Sequence, residues 1–313
     1  MSPTIAVVGV HVLDTHVLHV ESIPDGSDGV LVDTMRFSPA GTAGGTGVVL
    51  RRLGADVHSI GAIGADLIGD TLLAALDRED VDTSRLVRKP EVQTSASVIP
   101  VRANGDRPAW HCVGANAALT LDDIDLTSLP GLSHVHLGGP EFLGGPAAGE
   151  LLAAAHELGC TTSVDVLAPG DPDILTWIAD CLPHADYLLP NDEQLLGFTA
   201  ARTLADGARA LIAAGAGCVA VTQGARGALV VTKEEQIEVP AFEVAVVDTT
   251  GCGDAFSAGF LRGVGLGLDL RGAAELGCAT AAHVAQGVGT DYGAYTLEAV
   301  RDFAAGAPRL VPA

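Results

Sequence analysis

The 313-residue chain reads as an α/β protein: three layers, with helices on both faces of a mostly parallel sheet, and a small β-sheet beside it. Three observations lead there. Short β-rich runs alternate with helical stretches along most of the chain. Apolar residues make up 48% but aromatics only 4%, and there are 39 glycines, so small residues supply the bulk that close helix-on-sheet packing needs. Two segments, residues 13–37 and 92–115, break the alternation: they are strand-like without intervening helices. They predict a small antiparallel sheet projecting from the main one, which makes it a candidate lid. Residues 1–313 read as one domain carrying that lid, with no internal repeat and no linker.

The elements follow in order. Ile5–Val12 is a Val-rich run and predicts a buried strand, with shorter strands at Val17–Val20 and Val30–Phe37 around the turn Ile23-Pro-Asp-Gly-Ser. From Gly44 to Leu53 the pattern turns helical and stops at Gly54, and Val57–Gly61 is again a strand. The second lid segment turns at Ala103-Asn-Gly-Asp106. Later units repeat the alternation: strand Val135–Leu137, helix Ala147–Leu158, strand Thr162–Val166, helix Asp173–Cys181, strand Tyr187–Leu189, helix Leu204–Ala214, strand Cys218–Thr222. The last third predicts a strand at Val244–Asp248 and helices near 253–265, 269–285 and 296–304.

Composition excludes several partners. Asp and Glu number 39 against 17 Lys and Arg, giving a net charge of −22, and the only lysines are Lys89 and Lys233. Nucleic acid and anionic lipid attract clustered basic residues, so neither is expected as a partner. Mean hydropathy is positive. Even so, no run approaches the roughly 18–20 apolar residues of a spanning helix. The N-terminus lacks the basic region of a signal peptide, and the six cysteines form no C-x-x-C, which points to a reduced, cytoplasmic protein.

The strongest chemical signal is Asp248-Thr-Thr-Gly-Cys-Gly-Asp254-Ala-Phe-Ser. Gly251 and Gly253 free the backbone at a turn that opens a helix, so successive N–H groups and the helix's positive end converge on an anion. Asp254 stands in the first helical turn, where a carboxylate is by default a dipole partner but beside an anion site is also placed to take a proton. A P-loop and the protein-kinase V-A-I-K lysine are missing, and the first strand lacks G-x-G-x-x-G, which argues against a dinucleotide-binding dehydrogenase. His134-Val-His136 puts two imidazoles on one strand face without a third ligand, a weak metal signal.

The D-T-x-G-A-G-D pattern, with Cys252 in the Ala position, resembles the C-terminal signature of ribokinase-like, or PfkB-type, carbohydrate kinases. Other parts recur in order: Gly41-Thr-Ala-Gly-Gly45 and Gly61-Ala-Ile-Gly64-Ala-Asp66-Leu-Ile-Gly69 are similar to the first signature, Val221-Thr-Gln-Gly224-Ala-Arg-Gly227 to the V-T-x-G-x-x-G nucleotide segment, and Asn191-Asp-Glu-Gln194 to N-x-x-E. The resemblance covers essentially the whole chain. It implies a ribokinase-like fold and ATP-dependent phosphorylation of a hydroxyl on a sugar or sugar-like acceptor, with ATP and Mg²⁺ bound and K⁺ as a further candidate. Asp254 is then the base, and the N–H groups of Gly251, Cys252 and Gly253 hold the γ-phosphoryl charge; an ordinary Asp is ionised at pH 7 and needs no large shift. Asp14, Gly41, Thr42 and Gly45 are implied acceptor residues; Asn191, Thr222, Gly224, Gly227, Thr250 and His283 are implied ATP residues. Asp248 and Thr250 correspond to monovalent-cation ligands, with turn formation as the competing role.

Departures from the pattern matter. Gly45 replaces the acceptor-binding Asn and leaves space for a larger acceptor; Val12 replaces the Asn of N-x-D, while Asp14 is kept. Leu167 replaces the Asn of D-x-N after Asp165, and Gln194 removes a charge from N-x-x-E. A nucleoside or sugar-phosphate kinase on the same fold, and a non-catalytic nucleotide- or sugar-binding regulatory protein, are the alternatives. Trp110 and His111 are candidate substrate or dimer contacts, and a homodimer through the lid is an expected partner.

Overall fold

The computed structural model describes residues 3–102 and 107–310. The lid turn Ala103–Asp106 lies outside them. In chain order the elements are β1 (Thr4–Gly9), β2 (Val12–Leu18), β3 (Met35–Ala40), α1 (Gly44–Arg52), β4 (Asp56–Gly64), α2 (Leu67–Arg78), β5 (Asp82–Lys89), β6 (Ala96–Val101) and β7 (Trp110–Cys112). The second half supplies β8 (Leu132–Gly138), α3 (Pro140–Leu143), α4 (Gly145–Glu157), β9 (Thr161–Asp165), α5 (Pro172–Ile178), β10 (Tyr187–Leu188), α6 (Asp192–Thr199), α7 (Leu204–Ala213), β11 (Cys218–Thr222), β12 (Ala228–Val231), β13 (Gln236–Val239), α8 (Cys252–Gly265), α9 (Leu270–Val284) and α10 (Leu297–Gly306).

The main sheet runs β13-β12-β11-β10-β9-β8-β1-β4-β5. Its strands are parallel from β11 to β5, while β12 and β13 are antiparallel additions at one edge. Strand order reverses between β1 and β8, and such a switch point opens a crevice at the strands' carboxyl ends. Alternate side chains feed the two faces: Ile5 and Val7 join the core under α1, α8 and α9, whereas Ala6 and Val8 join the core under α4, α5 and α7. The Gly and Ala content is used where α8 meets α9: an added Cβ at Gly259 would stand 2.8 Å from Gly277 Cα, and one at Gly263 2.7 Å from Ala273 Cα.

The second sheet is ordered β3-β2-β6-β7. It is mixed rather than antiparallel, because β2 and β6 pair in parallel. The expected strand Ile5–Val12 is two strands: Gly9, at φ +115, turns the chain out of the main sheet and β2 starts the lid. Val30–Phe37 begins too early, since β3 is Met35–Ala40. The predicted strand Val244–Asp248 is irregular. Its neighbours explain this: Phe242 bridges Arg309, Glu243 N donates to Pro308, and Val247 N donates to Ala285, so the chain is held by the C-terminal segment and the end of α9 instead of a sheet edge. Elements α2, β5, α6, β12 and β13 have no counterpart in the sequence reading. Among the described residues, no helix is long and apolar enough to cross a membrane.

Candidate active site

Gly251 caps α8 at φ +78, ψ 0, a left-handed conformation that favours glycine, and a Cβ there would stand 2.7 Å from Thr290 Cβ. The N–H groups of Gly251, Gly253 and Asp254 have no hydrogen-bond partner among the described residues, and the space around Gly253 is open for 4 Å. Cys252 differs from expectation. Its N–H closes the turn onto Thr249 O at 3.2 Å, so of the three N–H groups expected to face an anion only those of Gly251 and Gly253 are left unpaired among the described residues, and Asp254 N–H joins them. The Cys252 thiol donates to Ala281 O (3.6 Å) and burial pushes its pKa up to about 12, so it fills space as a thiol.

Asp254 is not an ordinary carboxylate. Burial pushes its pKa well above the usual value, the nearby Asp165 and Asp14 carboxylates push it further, and only Arg107 pulls it down. Asp165 ends β9 and accepts a hydrogen bond from Ser257 Oγ, one turn beyond Asp254 on α8 (3.0 Å). Burial, partly offset by that bond, takes Asp165 to about 7. Asp14 rises to about 6, again through burial. Three carboxylates are raised together, so the pocket favours bound protons, and Asp254 shares them with Asp165 and Asp14.

Gly45 is where the structure departs furthest from expectation. The space above it is not free for a larger acceptor, because the Asp254 carboxylate occupies it: a Cβ at Gly45 would overlap Asp254 Oδ2 and stand 3.0 Å from its Cγ. The loop that carries it, Gly41 to Gly44, is fixed by Gly41's φ of +92, by Ala43 and Gly44 N–H bonds to Val10 O (both 3.1 Å), and by His136. Imidazoles 134 and 136 share Ser163 Oγ at 2.8 Å each; His136 Nε2 lies 2.9 Å from Thr42 O and His134 Nδ1 2.8 Å from Thr161 Oγ1. Burial takes their pKa values down to about 3 and 4, and no group of three metal-ligating side chains occurs among the described residues. They are a structural pair. Thr42 Oγ1 is buried without a partner.

Across the lid, register aligns Ser38, Asp14, Ser97 and His111 in one row over β3, β2, β6 and β7, with Ser97 Oγ 3.0 Å from His111 Nδ1. The opposite face exposes Phe37, Val98 and Trp110 in the adjacent row. His111 thus shares Asp14's face and Trp110 does not.

Asp248 Oδ1 accepts from Thr250 N (2.9 Å) and Thr250 Oγ1 (2.8 Å), and its Oδ2 from Gly289 N (3.3 Å). Arg107, from the lid, donates Nε to Thr249 Oγ1 (2.8 Å) and Nη1 to Thr250 Oγ1 (3.3 Å), and stands 4.0 Å from Asp248. Asp248 thus takes the turn-forming role, with a guanidinium beside it, and its carboxylate keeps acceptor capacity beyond these three bonds. The sequence gives no signal for Arg107, which lies between β6 and β7 with no motif around it.

The nucleotide candidates divide. Thr222 ends β11 and bridges Asn191, and Gly224 and Gly227 shape the following hairpin with positive φ values of 55 and 93. Asn191 caps α6 through a reciprocal pair with Gln194 (2.8 and 2.9 Å), while Gln194 Nε2 donates to Val166 and Ala168 carbonyls. This explains Gln194: a neutral amide can donate to those carbonyls and a carboxylate cannot. His283 packs its ring on Tyr295 (4.7 Å) and Phe303 (6.3 Å).

Comparison with known proteins places this arrangement. The family model described as "pfkB family carbohydrate kinase" matches residues 3–296. The chain belongs to that family. The PfkB chain is 25% identical over 304 residues to a deoxyribokinase of Salmonella typhi, covering 96% of this chain and 98% of that one. It is 26% identical over 297 residues to a nucleoside kinase of Methanocaldococcus jannaschii, covering 91% of each. A putative ribokinase II of E. coli, solved in complex with ATP and Mg²⁺, superposes with a TM-score of 0.80 at 20% identity over 97% of this chain and 99% of that one, which establishes the ribokinase-like fold. The protein is a phosphotransferase of the carbohydrate kinase type.

Proposed function

We propose that this PfkB protein transfers the γ-phosphoryl group of ATP to a hydroxyl of a sugar or sugar-like acceptor, with Asp254 as general base. The observation that carries the reading is the pairing of a raised, buried carboxylate with three unpartnered N–H groups at the start of α8. ATP would supply the phosphoryl group, and Mg²⁺ bound with it would supply much of the charge neutralisation that the two lysines do not. Neither lysine helps: Lys89 Nζ is paired with Asp123 at 2.8–2.9 Å and Lys233 lies in the β12–β13 turn. Asp254 takes the proton of the acceptor hydroxyl as its oxygen bonds to phosphorus and the bond to the ADP oxygen breaks. The N–H groups of Gly251, Gly253 and Asp254 hold the phosphoryl oxygens, with Arg107 beside them. Asp14 accepts hydrogen bonds from the acceptor, and Gly41 and Thr42 shape its edge.

The nucleotide lies toward Thr222, Gly224, Gly227, Thr250 and Asn191 at the carboxyl ends of β10 and β11. We leave His283 out of this set because its ring is committed to Tyr295 and Phe303. K⁺ is not part of the proposal. The exposed row Phe37, Val98 and Trp110 on the lid's outer face supports a homodimer in which a second copy covers it; Trp110→Ser should then shift the mass measured by light scattering from dimer to monomer.

The test is an ADP-release screen over pentoses, hexoses, their phosphates and nucleosides, followed by Asp254→Asn on any acceptor turned over. Activity should be lost while ATP still raises Tm. A variant that keeps wild-type kcat removes Asp254 as the base, and tight ligand binding without turnover of any acceptor favours a non-catalytic binding protein.

A further inference from the structure

Beside the carboxylate pocket the side chains turn apolar. Val10, Val12 and Ala40 form a small buried cluster of their own, apart from both sheet cores, and half-buried Phe142 and Leu167 pack against it. Every one of these sits by the crevice: Val10 and Val12 flank the β1–β2 turn, Ala40 ends β3, Phe142 lies in α3 directly after β8, and Leu167 follows β9. Two of them are neighbours of the reacting groups. Val12 is two residues from Asp14 on the same face of β2, and Leu167 is two residues beyond Asp165, with both carboxylates acting on Asp254. Leu167 is also held rigidly, since its N–H and that of Ala168 donate to Glu141 Oε1 at 2.9 and 2.7 Å. Asp14 and Asp165 act on Asp254, Glu141 acts on Asp165, and Arg107 is the guanidinium that acts on both Asp14 and Asp254.

We infer that the acceptor is a nucleoside: a neutral sugar whose reacting hydroxyl meets Asp254 and whose aromatic base lies on Phe142 and Leu167, which the buried Val10–Val12–Ala40 cluster backs. This rests on the kinase reading and narrows its acceptor. A free pentose or hexose would press hydroxyls against aliphatic groups that cannot bond them. A sugar phosphate would bring negative charge beside Asp14, Asp165 and Asp254 and raise these already raised carboxyls further, which holds the proton on the base. A nucleoside puts its hydroxyls on the polar row Asp14, Ser97 and His111 and a ring face on the apolar group, where an aromatic contact is favourable.

Binding and turnover are measured separately, by calorimetry and by ADP release, for ribose, 2-deoxyribose, fructose, ribose phosphate, adenosine, uridine and thymidine. At least one nucleoside should bind about tenfold or more tightly than any free sugar. Leu167→Asn and Phe142→Ala should each weaken that nucleoside about tenfold, and Leu167→Asn should move the ribose-to-nucleoside KM ratio toward ribose. Nucleosides that bind without ADP release uphold the acceptor class and sink the kinase reading. A free sugar, deoxyribose or a sugar phosphate that binds more tightly than every nucleoside overturns the inference, as does the absence of nucleoside binding. A nucleoside affinity indifferent to both substitutions, in variants of unchanged Tm, overturns the placement of the base.

Discussion

Replacing Gly45 by Ala should disable the enzyme without unfolding it. The new Cβ would overlap Asp254 Oδ2 and stand 3.0 Å from Asp254 Cγ and 3.3 Å from Thr290 Cγ2. Comfortable carbon–carbon contacts are roughly 3.5–4.0 Å, so the carboxylate must retreat by about 1 Å. The obstructing group is the end of a side chain, whereas α1 and α8 are fixed by their cores, so the rotamer of Asp254 yields and the helices stay. Overpacking of this kind costs about 1–3 kcal/mol, offset in part by roughly 0.8 kcal/mol for the buried methyl. Catalysis is less forgiving. A displacement of about 1 Å in a reacting group costs on the order of 10²-fold, or about 2.7 kcal/mol of transition-state stabilisation. The assay is kcat by ADP release on the acceptor found in the screen, with Tm and ATP affinity measured on the same preparation. A Gly45→Ala protein with wild-type kcat would refute the argument, because it would show that the carboxylate beside Gly45 is not the one that reacts.

Arg107→Met should lower kcat at pH 7 by about 10²-fold, the usual effect of losing one donor at a developing anion, with Arg107→Lys recovering part; equal kcat in the Met variant would confine Arg107 to lid anchoring. The pH–rate profile should climb with pH through the raised pKa of Asp254, because the base works only when deprotonated, and Asp165→Asn should move that acid limb to lower pH by removing a neighbouring negative charge. Asp165 also sets a stability trend. Its folded pKa, about 7, exceeds the unfolded value near 3.8, so its contribution is fully present below pH 3.8 and lost as pH rises through 7. Asp165→Asn should therefore gain in Tm over the wild type between pH 5 and 8, and urea denaturation showing a pH-independent difference would contradict this. Asp291 accepts Ser38 Oγ and Arg36 (2.9 Å), and its carbonyl accepts Arg52 Nη2 (2.9 Å), tying lid strand β3 and α1 to the loop beneath Gly251. Asp291→Ala should cost about 1 kcal/mol in stability and raise acceptor KM, read from urea denaturation and steady-state kinetics.

Local chemistry was legible in the sequence. The turn from Asp248 to Asp254 announces itself because glycines at 251 and 253 and a carboxylate in the first helical turn act through backbone and side chain within a few residues. The alternation of strand and helix from Val135 to Thr222, α6 apart, was legible for the same reason, since periodicity is local. Val244–Asp248 has a strand's composition, but the segment's backbone bonds go to the C-terminal segment and the end of α9, and nothing near it in the sequence records that. Tertiary structure alone decided what Asp254 is. Its pKa is raised first by burial and then by Asp165 and Asp14, which are 89 and 240 residues away in sequence. The space left by Gly45 belongs to that same carboxylate, and Arg107 reaches the turn only because the lid folds over it. Spacing along the chain specifies which groups can do chemistry. Desolvation and charge coupling depend on distances across the fold, and they set the state in which those groups do it.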